Sequence, residues 1–156
     1  MPDDSTTSVH ERRMERCLAL AREAAANDEV PVGAVVFLGD EVIGVGRNRV
    51  EETGDPLAHA EMEALKQAFA TTGDKRLPDA ELYCTLEPCF MCASAALHAR
   101  VRRVVFGARD PKFGAVRSLA NLLEDARLNH RCEVVEGVRA DDSAALLRSF
   151  FRSRRG

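Results

Sequence analysis

Two short stretches hold the residues with most chemical potential. In PLAHAEMEAL, spanning Pro56 to Leu65, His59 and Glu61 stand two positions apart, while Met62, Leu65 and, further on, Phe69 fall at helical spacing. On a regular helix of about 3.6 residues per turn, that separation turns the two side chains roughly 200° away from each other. They cannot share a task on a helix flank, and serve one centre only if both reach past the helix end. Thirty residues later, in LEPCFMCA, Cys89 and Cys92 lie one helical turn apart, so their sulfurs face the same way, and Pro88 precedes them. Proline fits the opening of a helix, where its missing N–H costs nothing. There the helix dipole and free backbone N–H groups favour negative charge, which lowers a thiol pKa as a metal ligand requires.

One imidazole and two thiolates can hold zinc and leave the fourth tetrahedral position to water, the form of catalytic zinc sites. Zinc lowers the pKa of that water from about 15.7 to roughly 7. A carboxylate must then take the proton and return it to the substrate, and Glu61 is the candidate. His-x-Glu followed by Pro-Cys-x-x-Cys is the signature of zinc deaminases, which makes His59, Cys89 and Cys92 the metal ligands and Glu61 the proton shuttle. If two helices aim their N-termini at one spot, His59 and Glu61 straddle one mouth, and the backbone N–H of Cys89 at the other can hold the reacting oxygen.

Three alternatives stand beside this reading. Cys89 and Cys92 could be a redox pair, which leaves His59 and Glu61 without a role. Cys84 or Cys132 could close a structural tetrahedron as a fourth ligand, giving a zinc-stabilised module without catalysis. A structural site, however, has no use for a carboxylate at Glu61. Cys17, Cys84 and Cys132 otherwise read as small buried core residues. His98 and His130 read as helix-end or hydrogen-bonding residues, and His10 as a solvated position in the first helix.

The elements that must position these groups follow from periodicity. Met14, Cys17, Leu18, Ala21 and Ala25 predict an amphipathic helix over 9–26. PVGAVVFL and EVIGVGRN read as antiparallel strands joined by a two-residue turn at Gly39-Asp40. HAEMEALKQAFATTG is a helix closed by Gly73, AELYCTLE a strand ended by Pro88, CFMCASAALHAR a helix and RRVVFGA a strand. SLANLLEDARL reads as a further helix, CEVVEGV as a fifth strand and DDSAALLRSFFRSRR as the last helix. Strand and helix alternating from residue 80 to 138 imply parallel neighbours with right-handed crossovers. The expectation is one α/β domain over 1–156, a mixed five-stranded sheet with helices on both faces, its first eight residues frayed.

With 156 residues the chain can bury about two thirds of the surface its unfolded form exposes, so a metal would serve function rather than folding. Its five cysteines, an odd and unevenly spaced set, and the lack of a secretory pattern in MPDDSTTS suit a reducing cytoplasm. No apolar run approaches the roughly 20 residues of a membrane span. Net charge is −3, but residues 1–63 carry 6 basic and 14 acidic side chains and residues 64–156 carry 16 and 11. A basic back half ending in Arg152, Arg154 and Arg155 can meet phosphates, or simply complement a helix end.

EVPVGAVV, GRNR, HAEMEAL, LYCTLEPCFMCASA, RVVFGARDPKFGA, NHR and FFRSRR, spread from about residue 28 onward, closely resemble the bacterial tRNA-specific adenosine deaminases, the TadA family. The resemblance implies a three-layer α/β/α cytidine deaminase-like fold and one zinc per subunit. It implies conversion of the wobble adenosine of an arginine tRNA to inosine, in homodimers whose active sites draw on both subunits. Carried over by position, it places Asn48 on the pocket wall against the flipped nucleoside, a residue that by itself reads as a strand-ending asparagine. It also puts Arg109, Asp110 and Lys112 against the anticodon loop, and Phe150, Phe151, Arg152 and Arg154 on a helix that helps hold the RNA backbone. Glu124 and Asp125 depart from this picture, being acidic where RNA would dock. The competing enzyme reading is a free nucleobase or nucleoside deaminase acting on guanine, cytosine or cytidine, for which the ARDPK loop and FFRSRR tail have no use.

Overall fold

The computed structural model describes residues 4–154; residues 1–3 of the expected frayed start, and Arg155 of the basic tail, lie outside the described residues. Helix α1 runs Asp4–Ala26, with Met14, Cys17, Leu18 and Ala21 wholly buried on one stripe. Strands β1 (Gly33–Leu38) and β2 (Glu41–Arg47) form the expected hairpin. Its turn holds Gly39 at φ 60 while Asp40 stays at negative φ, the pattern of a II′ turn with glycine first.

A four-residue helix α2 (Val50–Thr53), not foreseen from sequence, leads into α3 (Ala60–Thr72), which Gly73 closes in the left-handed conformation. Then follow β3 (Ala80–Leu86), α4 (Phe90–Ala99), β4 (Arg103–Ala108), β5 (Glu133–Val135) and α5 (Ala140–Arg154). The strands lie in the order β2-β1-β3-β4-β5, with β1 antiparallel to both neighbours and β3, β4 and β5 mutually parallel.

Alternate strand residues feed two cores. Ala34, Val36, Leu82, Cys84, Val104 and Phe106 pack with α3 and α4. On the other face Val35, Phe37, Tyr83 and Val105 pack with Met14, Cys17 and Leu18 of α1 and with Leu146 of α5. The result is the expected three-layer α/β/α arrangement. Helix α3 presses directly on β2, since a Cβ added at Gly46 would lie 2.2 Å from the Ala60 carbonyl oxygen and one at Gly44 2.1 Å from that of Ala64.

Two expectations are corrected. SLANLLEDARL is not a helix: residues 118–128 form turns and irregular chain between β4 and β5. Tertiary partners claim the backbone groups a helix needs. The N–H groups of Val116, Arg117 and Ser118 go to the Glu87 carboxylate, and those of Leu119 and Leu122 to the Gly114 and Ala115 carbonyls. His10 is half-buried rather than freely solvated, and its Nδ1 lies 2.6 Å from the Tyr83 hydroxyl. The other side-chain readings hold: Cys17, Cys84 and Cys132 are buried, and His130 Nε2 donates to the Val101 carbonyl at 2.9 Å. Among the described residues, no helix is long and apolar enough to cross a membrane.

Candidate active site

His59 is the N-cap of α3 and Cys89 the N-cap of α4, both with extended backbone, at φ −72 and −73 respectively. This resolves the awkward spacing of His59 and Glu61. The histidine sits where the chain has not yet entered the helix, so the 200° rule does not apply to it, and Glu61 projects from the first turn just inside. The His59 side chain makes no bond to its own helix, and the Cys89 sulfur meets its helix at Cys92, so the donors stand together between the two mouths.

His59 Nδ1 lies 3.6 Å from Cys89 Sγ and 3.5 Å from Cys92 Sγ, and all three donor atoms fall within 4.8 Å of one another. A tetrahedral zinc ion with bonds of about 2.3 Å to sulfur and 2.0–2.1 Å to nitrogen separates N and S by about 3.5 Å. The donor set therefore fits zinc in both chemistry and spacing. Cys84 and Cys132 are not part of this cluster. The Cys89 thiol is pushed down to about 4, first by its hydrogen bond with Cys92 and then by His59. Cys92 moves up, first by the same hydrogen bond with Cys89 and then by burial, and a divalent cation would displace the thiol proton between them.

Glu61 is 4% exposed, and burial raises its carboxyl to about 7. A carboxyl held near neutrality beside metal donors has the acidity a proton shuttle needs.

Around this centre, two buried carboxylates shape the walls, and neither stands out in the sequence. Glu29, 1% exposed, accepts from the N–H groups of Glu51 and Glu52 at 3.0 and 2.7 Å, fixing α2. Glu87, 2% exposed, accepts from Asp110, Val116, Arg117 and Ser118. The available signal for Glu87 was an acidic residue closing an apolar strand immediately before Pro88-Cys89.

Comparison with known proteins follows the same outline. The profile of the MafB19-like deaminases matches residues 8–155. The tRNA-specific adenosine deaminase of Agrobacterium fabrum is 46% identical over 142 residues, covering 91% of this chain and 93% of that protein. The chain belongs to the tRNA-specific adenosine deaminase family. A solved structure from work on A-to-I editing by tRNA:A34 deaminases at the wobble position superposes with a TM-score of 0.83 at 44% identity, covering 87% of this chain and 99% of that one. The guanine deaminase of Nitrosomonas europaea is more distant, with a TM-score of 0.79 at 32% identity over 90% of this chain and 83% of that one.

The remaining residues singled out by the tRNA-specific adenosine deaminase resemblance lie just after β2, in the loop after β4 and on α5. Asn48, 9% exposed, accepts from the Val50 N–H and donates to the Val30 carbonyl at 3.3 and 3.4 Å, tying the end of β2 to α2. Arg109 is paired with Glu136 at 2.8 Å, and the Asp110 carboxylate accepts from the N–H groups of Lys112 and Phe113. Lys112 is exposed. On α5, Phe151 and Arg152 are exposed, while Arg154 stacks 4.4 Å over the Phe150 ring and pairs with Asp28 at 3.2 Å. Asp28 adjoins Glu29, whose carboxylate holds the start of α2.

Proposed function

We propose that this protein is a zinc-dependent hydrolase that converts the wobble adenosine of a tRNA anticodon loop to inosine, within a single deaminase domain. The observation that carries the reading is the His59, Cys89 and Cys92 donor set with the buried Glu61 carboxyl beside it. The substrate follows from the tRNA-specific adenosine deaminases, which share 42–46% of its residues over 91% of its length.

His59, Cys89 and Cys92 hold one zinc per subunit, which when bound supplies the acidity that turns water into a nucleophile near neutral pH. Glu61 takes a proton from the water as its oxygen bonds to C6 of the adenine ring, and gives one to ring N1. It then takes the remaining proton of the added hydroxyl and passes it to the exocyclic amine, the C6–N bond breaks, and ammonia leaves with a carbonyl formed at C6. The Cys89 N–H, at the mouth of α4, donates to the oxygen being added. An unpaired loop nucleotide reaches such a pocket cheaply, since no base pair has to be broken. Asn48 lines the pocket wall, while Arg109, Asp110, Lys112, Phe151, Arg152 and Arg154 form the rim for the anticodon loop and its phosphates. We place the enzyme in the cytoplasm, as a homodimer.

The test is to incubate purified protein with an anticodon hairpin transcript carrying the wobble adenosine and, in parallel, with free guanine, cytosine and cytidine. Inosine and ammonia from the hairpin alone are the expected result. Ammonia from a free base, with the hairpin untouched, moves the substrate to nucleobases; no ammonia from any arm of zinc-loaded protein removes the enzyme reading.

A further inference from the structure

We propose that Glu87 is the positioning residue that holds the substrate rim in register with the metal centre. This deepens the tRNA deaminase reading and rests on it. The carboxylate is buried at the end of β3, immediately before the Pro88-Cys89 turn, and is surrounded by backbone donors from a single loop. Oε1 accepts from Asp110 N at 2.9 Å and from the Ser118 hydroxyl; Oε2 accepts from the N–H groups of Val116, Arg117 and Ser118 at 3.0, 2.6 and 2.8 Å.

A carboxylate this deep is tolerated only when its lone pairs are taken up, and here they are. The loop depends on it equally, because an apolar residue in its place would leave those N–H groups without an acceptor. The wrap is close enough that a Cβ at Gly114 would lie 2.3 Å from the Glu87 carboxyl carbon. The same loop is stitched to the metal turn by the Cys89–Gly114 bridge and by Ala115 N–H donating to the Pro88 carbonyl at 2.9 Å.

The Asp110 carboxylate then folds the loop tip by accepting from Lys112 and Phe113, so that these two residues are what the loop offers to solvent. Phe113 is 65% exposed, a large apolar face on a loop too well bonded to tuck it in. A cation beside an exposed aromatic ring suits a phosphate and the face of an unpaired base. Glu87 touches neither metal donors nor substrate; it acts by fixing where Lys112 and Phe113 stand relative to Cys89.

A double-mutant cycle tests this with wild type, Glu87→Gln, Phe113→Ala and the pair, measuring kcat and KM on the anticodon hairpin and zinc content. The glutamine keeps the shape but turns an amide N–H₂ toward donors. Each single change is expected to raise KM about tenfold, the effect of losing one base stack, with kcat within threefold and zinc retained. The double variant should then be no worse than Glu87→Gln alone, because a displaced loop no longer presents Phe113. Additive losses, or a Glu87→Gln variant that sheds zinc or loses kcat at unchanged KM, overturn the inference. If Glu87→Gln does not fold, Gly114→Ala and Ser118→Ala disturb the same wrap with the carboxylate intact and enter the same cycle. A wild type that leaves the hairpin unedited removes the function and this inference together, whereas an active wild type with additive effects removes this inference alone.

Discussion

At the residue scale, the two metal-donor side chains on the helix mouths are uncommon caps. His59 and Cys89 occupy N-cap positions, which usually hold Ser, Thr, Asp or Asn bonded to the first turn; His59 makes no side-chain bond to its helix, and Cys89 meets its own helix at Cys92, a fellow donor. At His59, helix stability of roughly 1 kcal/mol is forgone to free the donor for the metal. Glu61 shows the same trade, since a buried carboxyl raised to about 7 is poorly solvated and is kept for its acidity. Glu61→Ala should retain zinc and fold while turnover falls at least about 100-fold, the contribution of a general acid/base. Steady-state rates beside metal analysis decide it, and near-normal turnover would refute the assignment.

At the element scale, the accuracy of the site depends on how tightly α3 lies against β2. Gly46 meets the Ala60 carbonyl, one residue from His59, whereas Gly33 makes an equally close approach to the Cys17 carbonyl of α1 on the opposite face. Either glycine replaced by alanine should destabilise by about 1–3 kcal/mol as an overpacked contact. Only Gly46→Ala is expected to weaken zinc binding as well, which a competitive chelator titration of the two variants will reveal. Helices α1, α3, α4 and α5 and all the strands were legible from apolar period and turn residues, and the donor set from two motifs. Helix 118–128 was misread because the Leu119, Leu122 and Leu123 spacing is helical while their backbone is bonded elsewhere. Glu29 and Glu87 were missed for a related reason: a carboxylate whose partners are backbone N–H groups, joined for Glu87 by one serine hydroxyl, has no oppositely charged side chain to betray it in sequence.

Glu81, on β3, carries a pH dependence. Burial pushes its carboxyl up, but Arg103, Arg13 and Arg102 outweigh this and hold it below its ordinary value. The folded protein then binds this proton less tightly than the unfolded chain. Its stabilisation is present above the ordinary carboxylate range and is lost as the pH falls through the folded value. Glu81→Gln should flatten the acid side of a stability profile taken by urea denaturation from about pH 6 down to about pH 2, the range in which a lowered carboxylate takes up its proton; parallel profiles would contradict it.

At the scale of the whole molecule, charge is segregated, net −8 over residues 1–63 and +5 over residues 64–156. Changing Arg152 and Arg154 together to alanine should raise KM for the hairpin and lower the slope of log KM against log salt by roughly 0.7 for each phosphate that the tail no longer neutralises. Zinc content should stay unchanged, and an unaltered slope would take the tail out of the interface. Zinc itself links to global stability, since free metal at 100 times its Kd adds about 2.7 kcal/mol to a fold that alone binds it. Chelation should therefore lower the thermal midpoint without abolishing the transition. Finally, the irregular connection from β4 to β5 has no ladder of its own and is moulded by hydrogen bonds over its first part, up to Leu123. Its later part, residues 125–129, is bonded mainly within itself, by Asp125 with Arg127 and Leu128, so a change of length there would leave the Glu87 wrap and the donor cluster intact.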